Sequence, residues 1–201
     1  MPRHRQVLLV ALVAGALGIL ASLWVQGPGP WWRSPWGQRV LQRGLAERAP
    51  ADGNAVALGT LGQPLPRVQL PGLDGQPLDL PAAYRGKLLL INAWASWCAP
   101  CIVEMPELQR FSQAQGAQGV QVLGIAMDEI DSVRAFLHAH PVSYPIVIDA
   151  SGRIDTARKL GNPSGVLPYS VLIDRQGRLC KQRIGPFVPG EIDRWVASCT
   201  E

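Results

Sequence analysis

Lys87-Leu88-Leu89-Leu90-Ile91-Asn92-Ala93-Trp94-Ala95-Ser96-Trp97-Cys98-Ala99-Pro100-Cys101 is an apolar run that ends in two cysteines separated by Ala-Pro. The run up to Trp94 reads as a buried strand, and Ile102 to Gln115 has the apolar spacing of a helix. The cysteine pair therefore falls on a strand-to-helix turn. There Cys98 faces unpaired backbone N–H groups and the positive end of a helix dipole, both of which favour thiolate over thiol. Two thiols so placed can close and open a disulfide.

The other reading of Cys-x-x-Cys is half of a zinc site. A structural zinc needs a second ligand pair, and this chain offers only Cys180, Cys199 and three His, of which His4 lies at the far N-terminus. The spacing and the absence of a matching pair point to a redox dithiol.

Outward from the dithiol, strands are expected at Leu88 to Ala93, Gln121 to Met127, Tyr144 to Ile148, Ser170 to Ile173 and Leu179 to Ile184. Helices are expected at Cys98 to Gln115, Asp131 to Ala139, Ile154 to Leu160 and Glu191 to Ser198. Upstream, Leu73-Asp74-Gly75 is a turn signal between Arg67 to Leu70 and Gln76 to Leu80. Strands alternating with helices, closed by a hairpin and a last helix, give an α/β fold with a mixed sheet flanked by helices.

The chain has 201 residues and a net charge of +4, with the Arg residues scattered, which fits a solvated surface rather than a nucleic-acid face. Val7 to Val25 carries no charge and is long enough to cross ~28 Å of hydrocarbon. It is expected to be an uncleaved membrane anchor, the alternative being a cleaved signal peptide. Three units are expected: the anchor over 1–26, a Trp/Pro/Gly-rich connector over 27–63, and one folded domain over 64–201. Trp24, Trp31, Trp32 and Trp36 suit a lipid headgroup boundary, the alternative being a patch that docks on the domain. Val40 to Arg48 is expected to form a short helix.

Asn92 to Cys101 followed by Glu104-Met105-Pro106-Glu107-Leu108, together with Gly165-Val166-Leu167-Pro168-Tyr169-Ser170-Val171-Leu172-Ile173-Asp174, resembles the membrane-anchored thioredoxin-like proteins of the TlpA/ResA group, relatives of the AhpC/TSA redoxins. The resemblance covers about residues 60 to 198 and implies a thioredoxin-like fold. It implies Pro168 as the cis-proline facing the dithiol, with Leu167 offering backbone to an extended substrate. Trp97 and Pro100 would contact substrate. Cys98 is expected to be the nucleophile, and Cys101, one turn inside the helix, the resolving thiol. Thioredoxin has a buried Asp where this chain has Asn92, which cannot titrate. Glu104 matches an acidic position in ResA-like relatives and is expected to handle the proton, the alternative being an exposed Glu that complements the helix dipole. Cys180 and Cys199 are expected to form a second, structural disulfide, the alternative being two free thiols.

The resemblance further implies a thiol-disulfide oxidoreductase that reduces protein disulfides outside the cytoplasm, in cytochrome c or oxidase maturation. The catalytic domain would lie on the periplasmic side of the inner membrane on a single span. The expected partners are protein disulfides, a membrane electron donor of a thiol-reductant relay, and the membrane itself, with no nucleic acid, no cofactor and no metal. A peroxiredoxin-like peroxidase is disfavoured by Ala95, where a Thr or Ser would precede the reactive Cys. A copper-binding chaperone would need a His, and His138 and His140 fall on a helix and beside Pro141.

Overall fold

The computed structural model describes residues 6, 14–15, 34–47, 57–116, 118–150, 154–197 and 199. The expected span at Val7 to Val25 lies almost wholly outside the described residues, as do Trp24, Trp31 and Trp32. Among the described residues no helix is long and apolar enough to cross a membrane. The chain divides into two compact units, 1–44 and 45–201. Helix α1 spans Pro35–Glu47, beginning five residues earlier than expected. The reason is local: Pro35 presets the first helical dihedral, and Ser34 Oγ accepts from Gly37 N at 3.0 Å.

The second unit holds a hairpin of β1 (Val68–Pro71) and β2 (Pro77–Leu80), then β3 (Leu89–Trp94), α2 (Ala99–Ala114), β4 (Gln121–Ala126), α3 (Ile130–Ala139) and β5 (Ile146–Ile148). It continues with α4 (Ile154–Lys159), β6 (Tyr169–Ile173), β7 (Leu179–Ile184) and α5 (Glu191–Ala197). The main sheet has the order β5-β4-β3-β6-β7. β3 is parallel to β4 and antiparallel to β6, so the sheet is mixed, as expected. β5 begins two residues later than expected because Pro145 has no N–H to give a ladder, although its carbonyl accepts from Gly124 N at 2.9 Å.

Every residue of central strand β3 is buried, and alternate residues serve opposite faces. Leu89, Ile91 and Ala93 join Leu123, Ile125, Val171 and the hairpin residue Leu80 in one core. Leu90 and Trp94 join Met105, Leu108 and Phe111 of α2 and Ile192 of α5 in the other. Asn92 lies between Leu90 and Trp94, so its side chain is directed towards α2. The cross-strand register continues this position into a row: Gly124 on β4, Asn92 on β3, Ser170 on β6 and Arg183 on β7 share that face. A polar stripe thus runs under the first turns of α2.

The sheet's last strand is protected at its start by the segment before β1. Gly62 N donates to Leu179 O at 2.7 Å, and Leu179 N to Gln63 O at 2.9 Å. This pairing occupies backbone groups that would otherwise form an open edge.

Candidate active site

Cys98 is the residue that caps the N-terminus of α2, in extended conformation, with Ala99 and Pro100 as the first helical positions. Cys98 O accepts from Cys101 N at 2.9 Å and from Ile102 N at 3.1 Å, so the backbone of the first cysteine closes the first turn. Cys98 and Cys101 are joined by a disulfide, with Cα atoms 5.3 Å apart. Cys98 keeps 5% of its surface exposed and Cys101 none. An incoming sulfur therefore reaches Cys98 and not Cys101. Pro100 is exposed, and Trp97 is 71% exposed, which for a tryptophan beside a reactive sulfur leaves an apolar contact surface open to a partner. Trp94, by contrast, is fully buried against Phe136 in the core.

The turn that presents Cys98 is held from β4. Asp128, just past β4, accepts from Ser96 N at 3.2 Å and Ser96 Oγ at 2.5 Å. Its other oxygen accepts from Glu129 N at 2.8 Å, leading into α3. Pro168 precedes β6, and because Ala93 pairs with Tyr169, Leu167 and Pro168 fall at the same end of the sheet as Trp94 to Cys98. The Leu167–Pro168 peptide bond is cis, and Pro168 is buried while Leu167 is half-buried. Asn162 pins the loop that leads there, donating from Nδ2 to Val166 O at 2.9 Å and accepting from Val166 N at 3.2 Å.

Glu104 lies one turn after Cys101 on the same face of α2 and has no exposed surface. It is not a solvated first-turn acid. Asn92 Nδ2 donates to its Oε1 at 2.8 Å and to Ser170 Oγ at 3.0 Å, so the polar stripe of the sheet ends on this carboxyl. Phe187 N donates to Oε2 at 2.8 Å from the loop between β7 and α5. Burial pushes the Glu104 carboxyl up to about 7, against the two hydrogen bonds and the nearby Arg183 cation, which favour its charged form. A carboxyl poised near neutrality beside a dithiol can take or give a proton at working pH.

Glu107, the next buried acid on α2, behaves oppositely. Its hydrogen bonds from Arg110 at 2.8 Å, with Gly190 N adding another, hold it below the usual carboxylate range. Cys180 on β7 is bonded to Cys199, which follows α5, away from the dithiol in sequence and on the opposite edge of the sheet from β5.

Sequence reasoning missed Asp128, Asn162, Arg183, Phe187 and Glu191. Phe187 acts through its backbone, which leaves no side-chain signature. The stripe from Asn92 through Ser170 to Arg183 could be found once the strand register is known, because three polar residues at core positions of successive strands are rare without a common partner.

Residues 61–182 match the AhpC/TSA family. The thiol-disulfide oxidoreductase ResA of Geobacillus thermodenitrificans is 32% identical over 145 residues, covering 72% of this chain and 79% of that protein. ResA of Bacillus thuringiensis is 28% identical over 141 residues, covering 70% and 79%. Among solved structures, a DsbF homologue from Corynebacterium diphtheriae superposes with a TM-score of 0.60 at 26% identity, over 74% of this chain and 96% of that one. The fold is thioredoxin-like.

Proposed function

The chain belongs to the AhpC/TSA family and, within it, to the ResA-like thiol-disulfide oxidoreductases, and from that premise we propose that it works as a reductant of protein disulfides outside the cytoplasm. The observation that supports this most is the Cys98–Cys101 disulfide at the start of α2, with only the first sulfur reachable. In the reduced protein the Cys98 thiolate attacks one sulfur of a partner disulfide. A Cys98–partner bond forms, the partner's S–S bond breaks, and one partner thiolate leaves. Cys101, as thiolate, then attacks Cys98 Sγ, which releases the second partner thiolate and closes the Cys98–Cys101 disulfide. Glu104 takes the Cys101 proton as that thiolate forms and returns it when a dithiol donor in the membrane reduces the pair again.

Trp97 and Pro100 contact the partner, and the backbone at Leu167 beside Pro168 pairs with an extended segment of it. The Cys180–Cys199 disulfide is structural. We assign Val7 to Val25 as a single-span anchor in the inner membrane, residues 27–63 as the connector and 64–201 as the catalytic domain on the periplasmic side, serving cytochrome c or oxidase maturation. The apolar length of 7–25 and the redox chemistry of the dithiol, which suits an oxidising compartment, support that placement.

The full-length protein in detergent should reduce insulin disulfides with dithiothreitol as donor, and lose that activity in Cys98→Ser. Peroxide consumption at a comparable rate would replace this reading with a peroxidase. A protease-accessibility assay on intact cells and spheroplasts checks the side of the membrane, and a domain digested only after cell lysis would refute the periplasmic assignment.

A further inference from the structure

Arg183 is a buried cation on β7, with only 2% of its surface exposed. Its guanidinium is paired with Glu191 at 3.0 Å. It donates to Pro186 O at 2.9 Å and Gly185 O at 3.3 Å, and its centre lies 4.6 Å from the centroid of the Phe187 ring. Glu191, at the start of α5, accepts from Val188 N at 3.0 Å. Each of the four residues 185–188 is therefore tied to one member of this ion pair. Phe187 N, at the middle of that loop, reaches the Glu104 carboxyl.

We propose that the buried Arg183–Glu191 pair is a positioning pair for the dithiol reaction: it fixes the 185–188 loop whose Phe187 N–H holds Glu104, and its two charges act on that carboxyl with opposite sign. This rests on the reading of Glu104 as the proton carrier. A buried ion pair is weak evidence for stability, since desolvation offsets its attraction. Other groups facing Glu104 are Cys101 on its own helix and Tyr144 ahead of β5, while β3 and β6 present the uncharged Asn92 and Ser170. Arg183 favours the charged carboxyl and Glu191 opposes it.

The test follows the infrared band of the protonated Glu104 carboxyl against pH in the full chain, assigned by its loss in Glu104→Gln, alongside the pH profile of Cys98 alkylation in the reduced protein. Arg183→Gln should move the Glu104 midpoint up and Glu191→Gln should move it down, each by roughly 0.5–1 pH unit. The alkylation inflection should follow both shifts, and Arg183→Lys should return the midpoint towards that of the native protein. A loop merely loosened would lose the Phe187 N–H bond in either variant and move both midpoints up. That result overturns the charge action of the pair and leaves it a loop brace only, whereas no movement while Glu104→Gln still abolishes the alkylation inflection overturns the positioning role; neither outcome touches the proton-carrier reading. Opposite shifts of the infrared band with an alkylation profile that ignores them overturn the proton-carrier reading, and the pair's catalytic role with it. If Arg183→Gln does not fold, Glu191→Gln decides, because only the charge effect predicts a downward shift.

Discussion

Replacing Glu104 with Gln should stabilise the oxidised protein above neutral pH, although it removes a group that two donors hold. Folding raises this carboxyl from an ordinary 4.5 to about 7, so the folded state binds its proton more tightly than the unfolded chain does. The associated stability is complete below pH 4.5, declines as pH rises, and is lost once pH passes 7. The gap corresponds to roughly 3 kcal/mol. The amide in Glu104→Gln carries no charge, so that loss disappears.

Against this gain stands one disrupted hydrogen bond. A glutamine oxygen can accept from Phe187 N or Asn92 Nδ2, and its NH2 group would then oppose the other donor at a cost of ~1 kcal/mol or more. Asn92 can move that conflict but not remove it: turning its amide over gives the new NH2 an acceptor, with Ser170 Oγ donating to the same oxygen, but places Nδ2 where the buried Oδ1 has no partner. The expected net stabilisation is ~2 kcal/mol at pH 8.5, with the two proteins within ~1 kcal/mol of each other at pH 4.5. Guanidinium unfolding of both proteins in mild detergent, followed by near-ultraviolet circular dichroism across this range, measures the difference. Groups common to both, such as Glu107, cancel in it. A difference that does not change with pH would mean that Glu104 does not titrate between 4.5 and 7, and would refute its assignment as the proton carrier.

Cys101→Ser should accumulate a mixed disulfide between Cys98 and its partner, visible on non-reducing gels of cell extracts and absent from the Cys98→Ser/Cys101→Ser double variant; a trapped adduct on any other residue would displace Cys98 as nucleophile. Replacing both Cys180 and Cys199 by Ser opens a loop with a sequence separation of 19 and should lower stability by ~3 kcal/mol, read as a lower denaturant midpoint with the dithiol potential unchanged. Trp97→Ala should leave the midpoint within about 0.5 kcal/mol, since the ring is 71% exposed, while slowing reduction of protein disulfides more than reduction of a small disulfide. Gly124→Ala should cost ~1–3 kcal/mol, because its Cβ would meet Ile146 Cδ1 at 2.5 Å and Trp94 Nε1 at 3.1 Å; an unaltered thermal midpoint would show that this face of the sheet repacks freely.

The dithiol, its strand and its helix are legible from sequence because each signal is local. An apolar run broken only by Asn92 and ending in Trp94 reads as a buried strand, and Cys98 caps the helix that follows. The start of α1 is legible too, from Ser34 and Pro35, but only by giving capping chemistry precedence over apolar periodicity. What surrounds Glu104 is not local. Its donors come from Asn92, twelve positions before it, and Phe187, eighty-three after it. Composition assigns the pattern at Arg183 to an exposed cation on a terminal strand, since alternation along β7 has no apolar partner to contradict it. Only the register Asn92 to Ser170 to Arg183 shows that these residues share one face, and only the β7–α5 loop shows why burying them is tolerated. Within the stripe Asn92 donates to the Glu104 carboxyl and to Ser170 Oγ, while Arg183 donates to Glu191 and to backbone oxygens of the β7–α5 loop, so the stripe meets the dithiol helix through Asn92. Moving the acid from β3, where thioredoxin has it, to α2 requires such a stripe: a carboxyl on the helix must be met from the sheet, and a neutral Asn92 meets it without adding a second buried charge.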